Sequence, residues 1–290
     1  MRSADATEAP LPGHRHESFL IHSQFRYAKA AVLLVVAAIV VYLLDQPYGT
    51  GYGGSWAGYT LGTVGALLIL WLTWFGYQKR NYATIRERLA ALLSAHVYLG
   101  LALLVVATLH TGFHFGWNVH TLAYALMCIV IASGLFGVYA YARFPRLMTD
   151  NRAGMTMQQM LGRIASLGDE LRLAALPLDE ATAAVVERAT ATTVIGGSVR
   201  RQLSGRLAGC TTEAALAYLD RRDADKPPGS EEAWLRVRVL LDEKALLLAR
   251  VRRDISFKAI MDVWLYLHVP LAFMLLAALF AHIISVFFLW

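Results

Sequence analysis

Four histidines, His96 and His110 in one apolar segment and His268 and His282 in another, form two pairs with the same fourteen-residue interval. Fourteen residues of α-helix make nearly four turns and rise about 21 Å, so the members of each pair fall near one helix face at two depths of a bilayer. Ionisable side chains are costly in hydrocarbon and mark functional paths, and neutral imidazole is a standard axial ligand of haem iron. The spacing therefore predicts two stacked, non-covalent haem b groups. His96 with His268 would ligate one and His110 with His282 the other. Structural hydrogen bonding or a different metal remain the competing readings.

The elements that must position these residues are membrane spans. Of the 290 residues 57% are hydrophobic, and the mean hydropathy is +0.46, beyond the range of an ordinary soluble domain. Apolar stretches at 28–44, 59–77, 89–115, 120–142 and 260–290 predict an all-α integral membrane protein of about five transmembrane helices. One helix separates the third span from the fifth, so these two run in the same direction. That topology lets His96 meet His268 at one level and His110 meet His282 at the other.

Lys and Arg are uneven between the connections. Arg15, Arg26 and Lys29 precede the first span; Lys79, Arg80, Arg86 and Arg88 follow the second; Arg143 and Arg146 follow the fourth; Arg250, Arg252, Arg253 and Lys258 precede the fifth. Residues 45–58 and 116–119 have none. The positive-inside bias then predicts a bacterial-type inner membrane with the N-terminus and residues 143–258 cytoplasmic and the C-terminus periplasmic. A pI near 9.4 is explained by these residues meeting anionic lipid, without nucleic acid as a partner. The polar start of the chain has no early apolar run before a small-residue cleavage site, so the first span is expected to be retained.

Four regions follow: a polar and amphipathic tail at 1–27, spans one to four at 28–142, a helical insertion at 143–258 and the fifth span at 259–290. The insertion is rich in Ala, Leu, Arg and Glu and breaks near Pro177, Gly196 and Pro227, which predicts four or five helices and no sheet. Trp234, Val237, Leu241, Leu248 and Val251 form a stripe continuing toward the fifth span, as expected of one long helix. No flavin, nicotinamide or ATP fingerprint is readable, so the insertion is expected to dock or support rather than catalyse. Cys128 and Cys210 are the only two cysteines and are placed too far apart to pair; no C-x-x-C-H or iron–sulfur pattern occurs. His14, His16 and His22 lack acidic or thiol partners and read as ordinary tail residues.

A macrocycle needs room, which Gly62, Gly65, Gly100, Ser133, Gly134 and Gly137 can supply; ordinary small-residue packing explains each glycine as well. Pro270, two residues after His268, frees a carbonyl and can kink the helix there. Arg80, Arg86, Arg88 and Arg253 are candidates to meet haem propionates. His114 and His120 flank the outer ends of the third and fourth spans, and His114, one turn beyond His110, could touch the outer haem, move protons for a quinone or face water; Asp262, early in the fifth span, could serve a proton path or pair with a juxtamembrane arginine. The pattern does not choose.

The segments HVYLGLALLVVATLH (96–110) and HVPLAFMLLAALFAH (268–282) resemble the diheme cytochrome b superfamily. Cytochrome b of the quinol–cytochrome c reductases and the ferric reductase-like transmembrane domain place two such pairs on two helices. The resemblance covers the membrane part, with the third and fifth spans as ligand helices as in the ferric reductase group. It implies electron transfer through bis-histidine haems ligated by His96, His110, His268 and His282. A P-E-W-Y-like quinol-oxidation motif is missing, as are flavin and nicotinamide domains, and the insertion is unlike either family. Donor and acceptor are therefore expected to be quinone, soluble carriers or partner redox subunits. The expectation is an electron-transfer subunit between a quinone or cytoplasmic donor and a periplasmic acceptor. The alternative is a haem-containing sensor or scaffold signalling through the insertion.

Overall fold

The computed structural model describes residues 22–45, 54–81, 86–205, 209–225 and 228–288, and for 22, 77–81 and 86–88 it gives the backbone alone. Every regular element among them is helical. Five helices are long and apolar enough to cross a membrane. These are α1 (His22–Asp45), α2 (Trp56–Asn81), α3 (Arg86–Thr111), α4 (Val119–Arg152) and α9 (Glu231–Phe288). Four further helices belong to the insertion: α5 (Met157–Ala175), α6 (Glu180–Ala191), α7 (Val199–Ser204) and α8 (Thr211–Arg222). The chain is that of a multi-pass membrane protein. It divides into two compact units, one formed by the residues up to Val138 and from His268 onward, the other by Tyr139–Leu267.

In the first unit, long runs of Leu, Val and Ala favour helix, and the ends are marked by local chemistry. α3 stops where Gly112 takes a left-handed conformation (φ 55°) and its N–H bonds back to Leu109 O, a common way to satisfy the last carbonyls. α4 begins where Asn118 Oδ1 accepts from the Thr121 amide at 2.9 Å, an N-cap. Ser23, Gln24 and Phe25 have positive φ, so regular helix in α1 starts after them. Residues 1–21 of the polar and amphipathic tail, with His14 and His16, and residues 46–53 lie outside the described residues, as does the side chain of His22.

Buried positions here are few. Ala38, Leu61 and Val106 form one cluster, and Ile69, Leu103, Met127, Leu275 and Leu279 another. Large apolar side chains such as Leu33, Leu67 and Phe280 point outward, more than 60% exposed, as a lipid-facing surface requires.

The second unit has a water-soluble protein's core. Met160, Leu167 and Leu171 of α5, Val186 of α6, Leu219 of α8 and the stripe of Trp234, Val237, Leu241, Leu248 and Val251 on α9 are all buried together. α5 opens with a capping box, Thr156 and Gln159 each bonding the other's backbone N–H. Position 244 continues the α9 stripe between Leu241 and Leu248, yet it is a lysine. Its Nζ donates to Ala189 O at 3.0 Å, in the last turn of α6, where the ammonium shares a terminal carbonyl with Thr193 Oγ1 and opposes the negative helix end. Burial, aided by the positive charge of Arg172, pulls this lysine below its ordinary pKa.

Arg252, counted above with the basic residues beside the membrane, points inward. It is nearly buried, donating to Val194 O at 2.9 Å and to Cys210 Sγ at 3.3 Å. Burial pushes the Cys210 thiol up, but the Glu213 backbone N–H and the Arg252 guanidinium outweigh it and leave the thiol below its ordinary pKa. Arg152 pairs with the buried carboxylate of Asp254, which also accepts from Asn151 Nδ2 at 2.9 Å.

Candidate functional site

Leu103 lies seven residues from both His96 and His110, and Leu275 lies seven from both His268 and His282. Both leucines belong to one buried cluster, with Ile69, Met127 and Leu279. The midpoints of the two histidine pairs therefore meet at one level of the bundle. At one end of that register the His110 and His282 rings lie with centroids 6.0 Å apart and planes nearly perpendicular.

Three of the four rings are held through Nδ1. His110 Nδ1 is 2.8 Å from Gly58 O at the start of α2, and since a carbonyl only accepts, Nδ1 carries the proton and Nε2 keeps its lone pair. His282 Nδ1 is hydrogen-bonded to His120 Nδ1 of α4. His268 Nδ1 is 3.2 Å from Ser133 Oγ, also of α4. Histidine ligands of metals are typically fixed in this way, through the nitrogen that does not bind the metal. His96 rests against Phe75 of α2, with ring centroids 4.7 Å apart.

The glycines divide by geometry. A Cβ at Gly62 would stand 2.7 Å from His110 Cε1, so no other residue fits there while His110 keeps its place. At Gly134 the same atom would meet His268 Cε1 at 3.6 Å, an ordinary contact, and Gly65 would meet Leu103 at 3.8 Å. Gly100 has nothing nearby. Gly62 thus makes room for the His110 imidazole.

The remaining candidates separate clearly. His114 turns back on its own loop, Nδ1 2.8 Å from Gly112 O, and is exposed rather than joining His110 and His282. His120 joins the His110–His282 pair directly, with its ring centroid 4.4 Å from that of His282. Asp262 is exposed on α9. Arg253 is exposed and sits over the Phe257 ring at 5.8 Å. The side chains of Arg80, Arg86 and Arg88 lie outside the described residues. Cys128 and Cys210 are free.

The donors present fit a bis-histidine haem in kind: such a haem takes two imidazoles per iron, and His110 and His282 stand with ring centroids 6.0 Å apart. Among the described residues no three His, Cys, Asp or Glu side chains converge as an ion-only site would need. Comparison of the chain with protein-family models, with curated proteins and with solved structures returns no match.

Proposed function

We propose that the chain is a cytochrome b-type electron-transfer subunit, with His96 and His268 holding one haem and His110 and His282 a second. The observation that carries this reading is the His110–His282 pair: imidazoles from α3 and α9 stand nearly perpendicular with centroids 6.0 Å apart, and the bond to Gly58 O puts the His110 proton on Nδ1 and leaves the lone pair on Nε2. The common level of Leu103 and Leu275 supports a second, equivalent pair fourteen residues away.

Bound haem would supply one-electron redox chemistry; the protein supplies ligands, spacing and a dry, apolar surrounding. Gly58 O and Ser133 Oγ orient His110 and His268, which raises ligand basicity and limits movement when charge changes. Leu103, Leu275 and Leu279 fill the space between the two levels and exclude water from it. Electrons would pass between a quinone or cytoplasmic partner at one surface and a periplasmic acceptor at the other, in an oxidoreductase assembly whose other members carry the substrate chemistry.

A haem-bearing sensor is favoured by one observation: α9 contributes residues to both units, with His268 and His282 in one and the buried Lys244 and Arg252 in the other. Purification of the full chain, a reduced-minus-oxidised spectrum and haem quantitation test the main reading. Two haems per chain that are reduced by quinol or by a partner redox protein are expected. A haem-replete expression culture yielding colourless protein would defeat both readings, and stoichiometric haem that no quinol or partner protein reduces would leave the sensor.

A further inference from the structure

The segment 194–205, VIGGSVRRQLSG, has no place in the haem site. It contains no acidic residue. Two contacts tie it to α9 one helical turn apart: Arg252 Nη2 donates to Val194 O at 2.9 Å, and Ser256 Oγ donates to Leu203 O at 3.2 Å. Gly205, with φ 62°, brings the end of the segment against Ser256, where an added Cβ would touch the serine at 3.6 Å.

The height of these contacts matters. Ser256 is four residues, about 6 Å of helix, before the apolar run of α9 opens at Ile260. Just past it, aromatic pairs join α9 to α4: Phe257 with Phe144 at 5.1 Å and Trp264 with Tyr141 at 5.8 Å between centroids. Arg143, Arg146, Arg253 and Lys258 are exposed around the same turns. Aromatic residues flanked by Lys and Arg mark the boundary between hydrocarbon and headgroups. The segment is therefore fastened at that boundary, and its own exposed side chains match it. Val194 and Val199 are about half exposed and Leu203 slightly less, while Arg200 and Arg201 beside them are exposed and basic.

We infer that residues 194–205 form a contact surface for anionic phospholipid headgroups, with Arg200 and Arg201 meeting the phosphates and Val194, Val199 and Leu203 entering the interfacial layer. In a soluble domain three half-exposed aliphatic residues around an Arg–Arg step that has no ion-pair partner among the described residues would gain nothing. Against an anionic bilayer both are favourable, because each basic side chain near such a surface is attracted and the aliphatic groups leave water. Buried Arg252 is the anchor of this segment rather than a lipid contact.

Hydrogen exchange of the full chain, one copy per nanodisc, tests the inference. Phosphatidylcholine discs are compared with discs also containing phosphatidylglycerol. Amides of 194–205 should exchange about fivefold more slowly, or more, in the anionic discs. Arg200→Gln/Arg201→Gln should remove that difference while protection at Leu167 and Leu171 stays unchanged as the folding control. Equal exchange in the two lipids overturns the inference, and so does an anionic-lipid effect that survives in the double variant. The wild-type comparison stands even should the variant fold poorly.

Discussion

The bundle and the insertion obey opposite rules for where apolar side chains go. In the bundle, Leu33 and Phe280 are exposed and the buried positions are small or few, such as Ala38, Ala95 and Ala102. In the insertion, Leu167, Leu171, Leu241 and Leu248 are buried, and ion pairs such as Arg163–Glu243 and Arg222–Asp179 cover the surface. Polar groups differ likewise. Thr60, Thr63 and Thr73 in the bundle donate to the carbonyl four residues back, satisfying themselves within one helix, which hydrocarbon favours. Thr108 does the same and also meets Tyr124 Oη of α4 at 2.9 Å, and among the described residues His110, His268 and His282 reach across helices with ring nitrogens. A group that departs from the rule of its region is thus the informative one: histidine in the bundle, Lys244 in the insertion.

The largest effect should come from breaking the bundle's exception. His110→Ala or His282→Ala is expected to lower haem content by about half, and His96→Ala or His268→Ala to remove the other half, because in the proposed arrangement each level would depend on both of its ligands. Hydrogen exchange at Leu241 and Leu248 should not change, since the insertion has its own core. Loss of both haems from one substitution, or of neither, would contradict two independent levels.

The next effect is on orientation. Gly62→Ala places a Cβ 2.7 Å from His110 Cε1, and His120→Ala removes the Nδ1 partner of His282. Each should weaken retention of the outer haem about tenfold or more, the usual cost of losing a ligand's support. Gly134→Ala, with 3.6 Å available, should leave haem content unchanged. Haem titration of the stripped protein would rank the three, and an equal loss from Gly134→Ala would mean that glycine space serves the macrocycle after all.

The sequence shows the histidine pairs and the spans because both depend on local quantities, the interval along one helix and the apolar length of a run. The insertion's breaks near Pro177, Gly196 and Pro227 likewise fall between α5 and α6, before α7 and before α9. What it hides depends on neighbours distant in the chain. Nothing near His282 signals that His120, 162 residues earlier, would bond it, and Gly58 is recognised as a partner of His110 only once α2 and α3 pack. The stripe through Trp234, Val237, Leu241, Leu248 and Val251 is readable, and one position in it, Lys244, could have been flagged by its period alone. Arg252 could not: only the placement of Val194 O and Cys210 Sγ beside it turns a membrane-flanking arginine into a buried one.

A smaller effect should expose the insertion's own exception through pH. Lys244 has a lowered pKa in the folded chain, so below that value its buried charge opposes folding in full. As pH rises from there toward the ordinary lysine range, about 10.4, the unfolded state holds more protons and folding stability should rise. Cys210 adds the same sign, its thiolate being favoured in the folded state, with stability gained above its lowered pKa. Exchange protection at Val237 and Leu241 should therefore increase through mildly alkaline pH. Lys244→Met should flatten most of that rise and stabilise the insertion by about 1 kcal/mol near neutrality, since Ala189 O keeps a bond from Thr193 Oγ1 at 3.0 Å. Cys210→Ser should remove the remainder.

The smallest effect belongs to the ordinary surface of the insertion. Arg163 bridges Glu243 through two bonds, 2.8 and 3.0 Å, and also meets Glu170, so it joins α5 to α9 and not merely one turn to the next. All three side chains are about a third exposed or more, and water and salt screen them. Arg163→Met should cost about 0.5–1 kcal/mol at low salt, at the upper end for exposed pairs because the bond is bidentate. That cost should shrink as salt approaches 1 M, where the screening length is about 3 Å. Haem content should be untouched. A salt-independent loss several times larger would mean that the Arg163 stem packs as core, and the contrast between a polar surface here and an apolar one on the bundle would then be drawn too sharply at α5.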